Sequence, residues 1–173
     1  LDVVNPDKCI ISKGDISFKK IKFEYVKDYA VFNDFDFNIK SGEKVGLVGH
    51  SGSGKSTIVK ILLRFADVKG GEVLIDGQNI ANIRQDDLRQ VISYVPQESI
   101  LFHRSIKENI GYSKNGSTDE EITEAAKKAH AHEFISSHEF KIGYDQVVGE
   151  KGVKVSTGQR QRIAIARAFL RNP

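Results

Sequence analysis

Apolar and polar residues alternate along much of the first forty positions. In DISFKKIKFEY (Asp15 to Tyr25) the apolar side chains fall at Ile16, Phe18, Ile21, Phe23 and Tyr25, with one slip at Lys19–Lys20. In VFNDFDFNI (Val31 to Ile39) they fall at Phe35, Phe37 and Ile39. A period of two predicts half-buried antiparallel strands in both stretches. KSGE (Lys40 to Glu43) reads as a turn. KVGLVG (Lys44 to Gly49), a short apolar run closed by glycine, predicts a buried strand.

The period then lengthens. Ile58, Ile61, Leu62 and Phe65 stand at i, i+3, i+4 and i+7, with Lys60 and Arg64 on another face, which predicts a helix. GGEVLIDG (Gly70 to Gly77) predicts a short strand, and VISYV (Val91 to Val95) another, stopped by Pro96. STDEEITEAAKKAHAHEFI (Ser117 to Ile135) predicts a helix. Thr118 and Glu121 form a capping box, and Ile122, Ala125, Ala126 and Ala129 give its apolar stripe. From about Glu98 to Val155 the pattern predicts helices and loops. The last segment predicts a helix with Arg160, Arg167 and Arg171 on one stripe and Ile163, Ile165, Ala166, Ala168, Phe169 and Leu170 around the rest.

Composition narrows the classes. The 173 residues carry a net charge of +3, with 39% hydrophobic and 28% charged residues. That is ordinary for a globular chain, and the interleaved, mild charge argues against a nucleic-acid partner. Cys9 is the single cysteine, which excludes a disulfide framework. No apolar run approaches the roughly 18 residues that span a bilayer. The five histidines are scattered. His130 and His132 stand two apart, so on one helix they point to different faces. Glu120, Glu121 and Glu124 read as a solvated helix face, and Cys9 as an inert residue near the terminus. The chain has no methionine and opens at Leu1, which leads us to expect a processed or cut N-terminus.

GHSGSGKST (Gly49 to Thr57) carries the chemistry. It fits G-x-x-x-x-G-K-[ST] between a predicted strand and a predicted helix. Glycines let backbone N–H groups turn toward phosphate oxygens without a Cβ clash, and the helix N-terminus adds partial positive charge. Lys55 is expected to reach the β- and γ-phosphates, and the Ser56 hydroxyl to take a Mg²⁺ position. The bare pattern occurs by chance in about one chain per hundred of this length; the strand and helix around it make a glycine-rich turn that binds nothing the weaker reading. No Asn-Lys pair is present to begin a guanine-reading Asn-Lys-x-Asp motif. Adenine needs only an aromatic face. Tyr25 ends a strand upstream of the loop, although on spacing alone a half-buried strand tyrosine is the better account of it.

Five further stretches carry a family resemblance. VSTGQRQRIAIARA (Val155 to Ala168) resembles the L-S-G-G-Q-x-Q-R signature of ABC-transporter ATPases. YVPQESILF (Tyr94 to Phe102) is similar to that family's Q-loop. LFHRSIKENIGY (Leu101 to Tyr112) and VVGEKG (Val147 to Gly152) resemble segments of exporter-type members, and FEY (Phe23 to Tyr25) matches the aromatic A-loop site. The resemblance runs from about Ile16 to Pro173. It implies a P-loop α/β fold with an N-terminal antiparallel β subdomain, a helical subdomain, and a central parallel sheet left incomplete at the C-terminus. The implied division is an ATP-binding core at 1–97, a helical subdomain at 98–158 and a return helix at 159–173.

The resemblance also implies roles. Tyr25 stacks on adenine, with Tyr29 as a second candidate. Gly49, His50, Ser51, Gly52, Ser53, Gly54, Lys55, Ser56 and Thr57 wrap the triphosphate of ATP. Ser56 and Gln97 ligate Mg²⁺, and Gln97 relays to a transmembrane domain. Ser156, Thr157, Gly158 and Gln159 act in trans, on the ATP of a second nucleotide-binding domain paired head to tail. Ser156, as an N-cap, suits an anion site at a helix start. Two departures stand out: Val155 replaces leucine, and Thr157 replaces the first glycine, adding a Cβ where backbone approaches phosphate. The implied setting is the cytoplasmic face of a membrane, as part of an exporter driven by ATP hydrolysis.

The family's Walker B strand, catalytic glutamate and switch histidine come after the signature. The expectation is therefore a chain that stops short of them, binds nucleotide and hydrolyses it poorly, with no catalytic residue of its own. A soluble ABC-type module without a transport role is the alternative, opposed by the exporter-like LFHRSIKENIGY. A P-loop kinase has no use for STGQRQR at a second helix start.

Overall fold

The computed structural model describes residues 4–149 and 153–173, which form two compact units, Leu1–Ile92 and Ser93–Pro173. Glu150 to Gly152, the end of the exporter-like VVGEKG stretch, lie outside the described residues.

The first unit is built on an antiparallel sheet ordered β2-β1-β3-β4. Its strands are β1 (Ile16–Val26), β2 (Tyr29–Ile39), β3 (Gly70–Ile75) and β4 (Gln78–Asn79). The slip at Lys19–Lys20 is an irregularity that shifts register against both neighbours, between Phe18 and Ile21 against β2 and between Lys19 and Lys22 against β3. It lets Phe18 and Ile21 both point inward, where each is buried, with Lys20 taking a left-handed φ of 49°. Gly71 lies against this kink at φ 80°, and a Cβ there would clash with the Lys19 and Lys20 carbonyl oxygens. Only glycine fits. Phe23, Phe32, Val73, Ile75, Ile80, Ile83 and Leu88 complete the core with Ile61 from helix α1 (Lys55–Leu62). A short helix α2 (Gln85–Gln90) ends the unit.

Two expectations about α1 need correction. The helix ends at Leu62, so Phe65 lies beyond it and is 59% exposed. Arg64 does not share a solvent face with Lys60. It turns at φ 49° and is buried, its guanidinium donating to the carbonyls of Ile80 and Ile83. A guanidinium can be buried this way because it satisfies several carbonyls at once.

Lys44–Gly49 and Val91–Val95 do not form strands. Among the described residues neither run has a ladder partner, and Val48 is 93% exposed. An apolar run records a preference for burial; a strand also needs a neighbour for its backbone N–H and C=O groups. The parallel sheet that those runs predict is not formed among the described residues.

The second unit is helical around one core. It contains β5 (Arg104–Ser105), α3 (Ile106–Gly111), α4 (Asp119–Lys128), α5 (His132–Ile135), β6 (Val147–Val148) and α6 (Thr157–Arg171). Ile106, Ile110, Ile122, Ala126, Ile135, Phe140, Ile163 and Leu170 lie in that core. The Thr118–Glu121 capping box is present at the start of α4. The single helix expected over Ser117 to Ile135 is two, because the chain turns at Ala129–Ala131 with His130 at φ 52°. His130 and His132 therefore do not share a helix. His132 Nδ1 lies 2.9 Å from the Tyr144 hydroxyl.

Candidate functional site: a phosphate loop and a signature helix

Gly49 to Thr57 forms a loop that runs into the first turn of α1. Gly49, Gly52 and Gly54 have φ of 154°, 84° and 89°. At Gly54 an added Cβ would also lie 2.8 Å from the Phe32 ring, so conformation and space both require glycine. Gly54 is the N-cap of α1, and no side chain caps that helix start. The first-turn N–H groups of a helix have no partner four residues back, so an uncapped start offers donors and partial positive charge to an anion.

Lys55 curls back over the loop. Its Nζ donates to the carbonyl oxygens of Gly49 and His50, each at 2.7 Å, and to Ser53 Oγ at 3.3 Å. The ammonium thus sits at the loop's mouth on neutral acceptors, which a phosphate with full negative charge can outcompete. Ser51, Gly52 and Ser53 are exposed beside it, as is the Ser56 hydroxyl. Thr57 is buried and points toward the hairpin, its Oγ1 lying 3.2 Å from the Tyr25 hydroxyl. Tyr25 is thereby attached to the phosphate-loop helix while remaining 55% exposed. Tyr29, the second aromatic candidate, opens β2 and is 77% exposed.

The second unit carries Gln97 on an exposed bend after Pro96, and the signature at the head of α6. A serine hydroxyl and a glutamine carbonyl are hard oxygen donors, which suit Mg²⁺. Ser156 caps α6: its Oγ accepts from Gln159 N at 3.2 Å, and Gln159 Oε1 accepts from Ser156 N at 2.8 Å. Gln159 Nε2 also donates to Glu139 at 3.0 Å. Thr157 Oγ1 accepts from Arg160 at 3.1 Å, and the same guanidinium donates to the Val155 carbonyl. Val155 itself is buried in the second core, a place that any aliphatic side chain near that size can fill. At Gly158 a Cβ would meet only Ser156 Oγ, at 4.0 Å, so the backbone there is open to approach.

Three features escaped the sequence reading. Lys60 Nζ sits 5.4 Å from the centre of the Tyr25 ring. The i, i+3 spacing of Thr57 and Lys60 was a signal for it. Asn109 is fully buried. Its Nδ2 donates to the carbonyls of Phe102, Arg104 and Ser105, and its Oδ1 accepts from Phe102 N and Arg167. Arg167, on the arginine stripe of α6, reaches the Asn109 and Ile100 carbonyls and lies over the Phe102 ring. Last, Asp76 accepts the backbone N–H groups of Ser12, Lys13, Gly14 and Asp15.

Among the described residues no helix is long and apolar enough to cross a membrane. The family model described as ABC transporter matches residues 32–173. The leukotoxin translocation ATP-binding protein LktB of Mannheimia haemolytica is 50% identical over 162 residues, 93% of this chain and 23% of its own. ATP-binding cassette sub-family B member 6 of Xenopus tropicalis is 45% identical over 172 residues, 99% of this chain and 20% of its own. A solved bacterial Atm1-family ABC exporter with ATP bound superposes with a TM-score of 0.94 at 40% identity, over all of this chain and 30% of that one. The chain thus spans less than a third of the length of each of these relatives.

Proposed function

This chain belongs to the ABC transporter family, and we propose that it is the ATP-binding part of an exporter. The carrying observation is Lys55 folded onto the Gly49 and His50 carbonyls at a helix start that no side chain caps. On this reading the triphosphate takes N–H groups of the loop over residues 49–57 and draws the Lys55 ammonium from those carbonyls. Tyr25 carries the adenine. Ser56 and Gln97 are the residues that would hold Mg²⁺, which would supply neutralisation of the phosphates' charge. The functional division is a nucleotide-binding core over 1–97, a helical part over 98–158 that ends in the signature, and a return helix over 159–173.

Ser156, Thr157, Gly158 and Gln159 act on the nucleotide of a second domain paired head to tail, homo- or heterodimeric. The open backbone at Gly158 supports that assignment. In the whole protein, closure and ATP hydrolysis drive substrate across a membrane through a transmembrane domain, with this part on the cytoplasmic face. The relatives' printed roles, toxin translocation and export, support this direction. On this reading no site residue takes the role of base toward an attacking water, so the chain alone is expected to hydrolyse ATP slowly. Lys55→Met is expected to weaken ATP binding by at least about tenfold, the scale of losing a charge-assisted contact. Unchanged affinity in a titration would contradict the reading.

A further inference from the structure

The surroundings of the Tyr25 ring point past its role as a platform. Phe23 lies perpendicular to it, with ring centres 4.9 Å apart. The hydroxyl is held at 3.2 Å by Thr57, and the Lys60 ammonium stands 5.4 Å from the ring centre. Thr57 and Lys60 are three residues apart on α1, so one face of that helix grips the ring at two points. The same helix begins at the phosphate loop. We propose that Lys60 is a positioning residue for the nucleobase. Its cation–π contact, with the Thr57 hydroxyl, fixes the Tyr25 ring in register with the phosphate site. One helix thereby sets both ends of a nucleoside triphosphate site, and the exposed remainder of the ring is the surface a base stacks on.

The inference rests on Tyr25 being the base platform, and its test separates the two. The protein is titrated with ATP and with inorganic tripolyphosphate, which has no base. Lys60→Met keeps an unbranched side chain of good helix propensity and removes the charge. It is expected to weaken ATP about threefold, the scale of an exposed cation–π contact, and to leave tripolyphosphate affinity and melting temperature unchanged. Lys60→Arg restores ATP affinity, because a guanidinium makes the same contact. Equal weakening of both ligands would place Lys60 on the phosphates and overturn the inference. So would unchanged or tighter ATP binding by Lys60→Met, the latter meaning that the lysine competes with the base. Tyr25→Ala decides where a failure lies. If it weakens ATP and Lys60→Met does not, only the Lys60 inference falls; if it does not weaken ATP, the platform reading and the inference fall together.

Discussion

The two helix starts that carry the motifs are finished in opposite ways. At α1 the cap is a left-handed glycine, no side chain closes the end, and the nearby lysine rests on the loop's own carbonyls. At α6 Ser156 and Gln159 close a reciprocal capping box, and Thr157 carries the Arg160 guanidinium. A helix start must satisfy its first N–H groups by some means. The first leaves that to a ligand, and the second does it partly with its own side chains. On the proposed reading the first is therefore the primary phosphate site. The second can only add contacts through groups that its capping box leaves accessible, chiefly the open backbone at Gly158. A third cluster of donors shows the fully self-satisfied case: four backbone N–H groups converge on the Asp76 carboxylate, leaving no role for an external anion.

The largest expected effect comes from closing the open start. Gly54→Ala puts a Cβ against Phe32 at a left-handed φ, and should cost more than about 2 kcal/mol and abolish ATP binding. A stable variant that still binds ATP would break the contrast. Ser156→Ala removes the cap of α6. It should lower stability by about 1 kcal/mol in a denaturant melt, with ATP affinity of the monomer unchanged. Thr157→Gly sharpens the second start by removing a Cβ and the Arg160 acceptor. ATP-driven association should strengthen, by up to about fivefold if one side-chain contact sets the scale. Association unchanged from wild type, read by sedimentation, counts against the role given to Thr157.

The smallest effect concerns Asp76, and it depends on pH. Backbone donation, first from Lys13, holds its carboxyl well below the usual carboxylate range. A lowered folded pKa gives stabilisation that is present above the unfolded value near 4 and lost as pH falls through the folded one. The melting-temperature gap between wild type and Asp76→Asn should therefore be widest at neutral pH and narrow in acid. A gap constant with pH would contradict this.

Local chemistry was legible in the sequence. The Lys19–Lys20 slip, the Thr118 box and the Ser156 cap each depend on residues within a few positions of one another, and each appears in the structure. Partners distant in sequence were not legible. Lys44–Gly49 and Val91–Val95 have the composition of buried strands, yet pairing depends on a neighbour that composition cannot supply. Arg64 looks like a surface charge by spacing, but a guanidinium can enter a core where carbonyls await it, and Arg167 half-buries its own on the Asn109 carbonyl. In the candidate site, the phosphate loop follows from its glycines. The attachment of Tyr25 to Thr57 and Lys60 crosses about thirty residues and had only the helical spacing to suggest it.

A mixing experiment tests the central claim, that the two helix starts serve one nucleotide from two chains. Lys55→Met disables the first start. Gly158→Asp disables the second without disturbing the monomer, since the site is open and an acid suits a helix N-terminus. Each variant alone should fail to associate when ATP is added. A mixture of the two keeps one intact pairing of Lys55 from one chain with Gly158 from the other, so ATP should restore association, measured as a rise in mass. A mixture that stays monomeric, while wild type associates with ATP, would contradict action in trans.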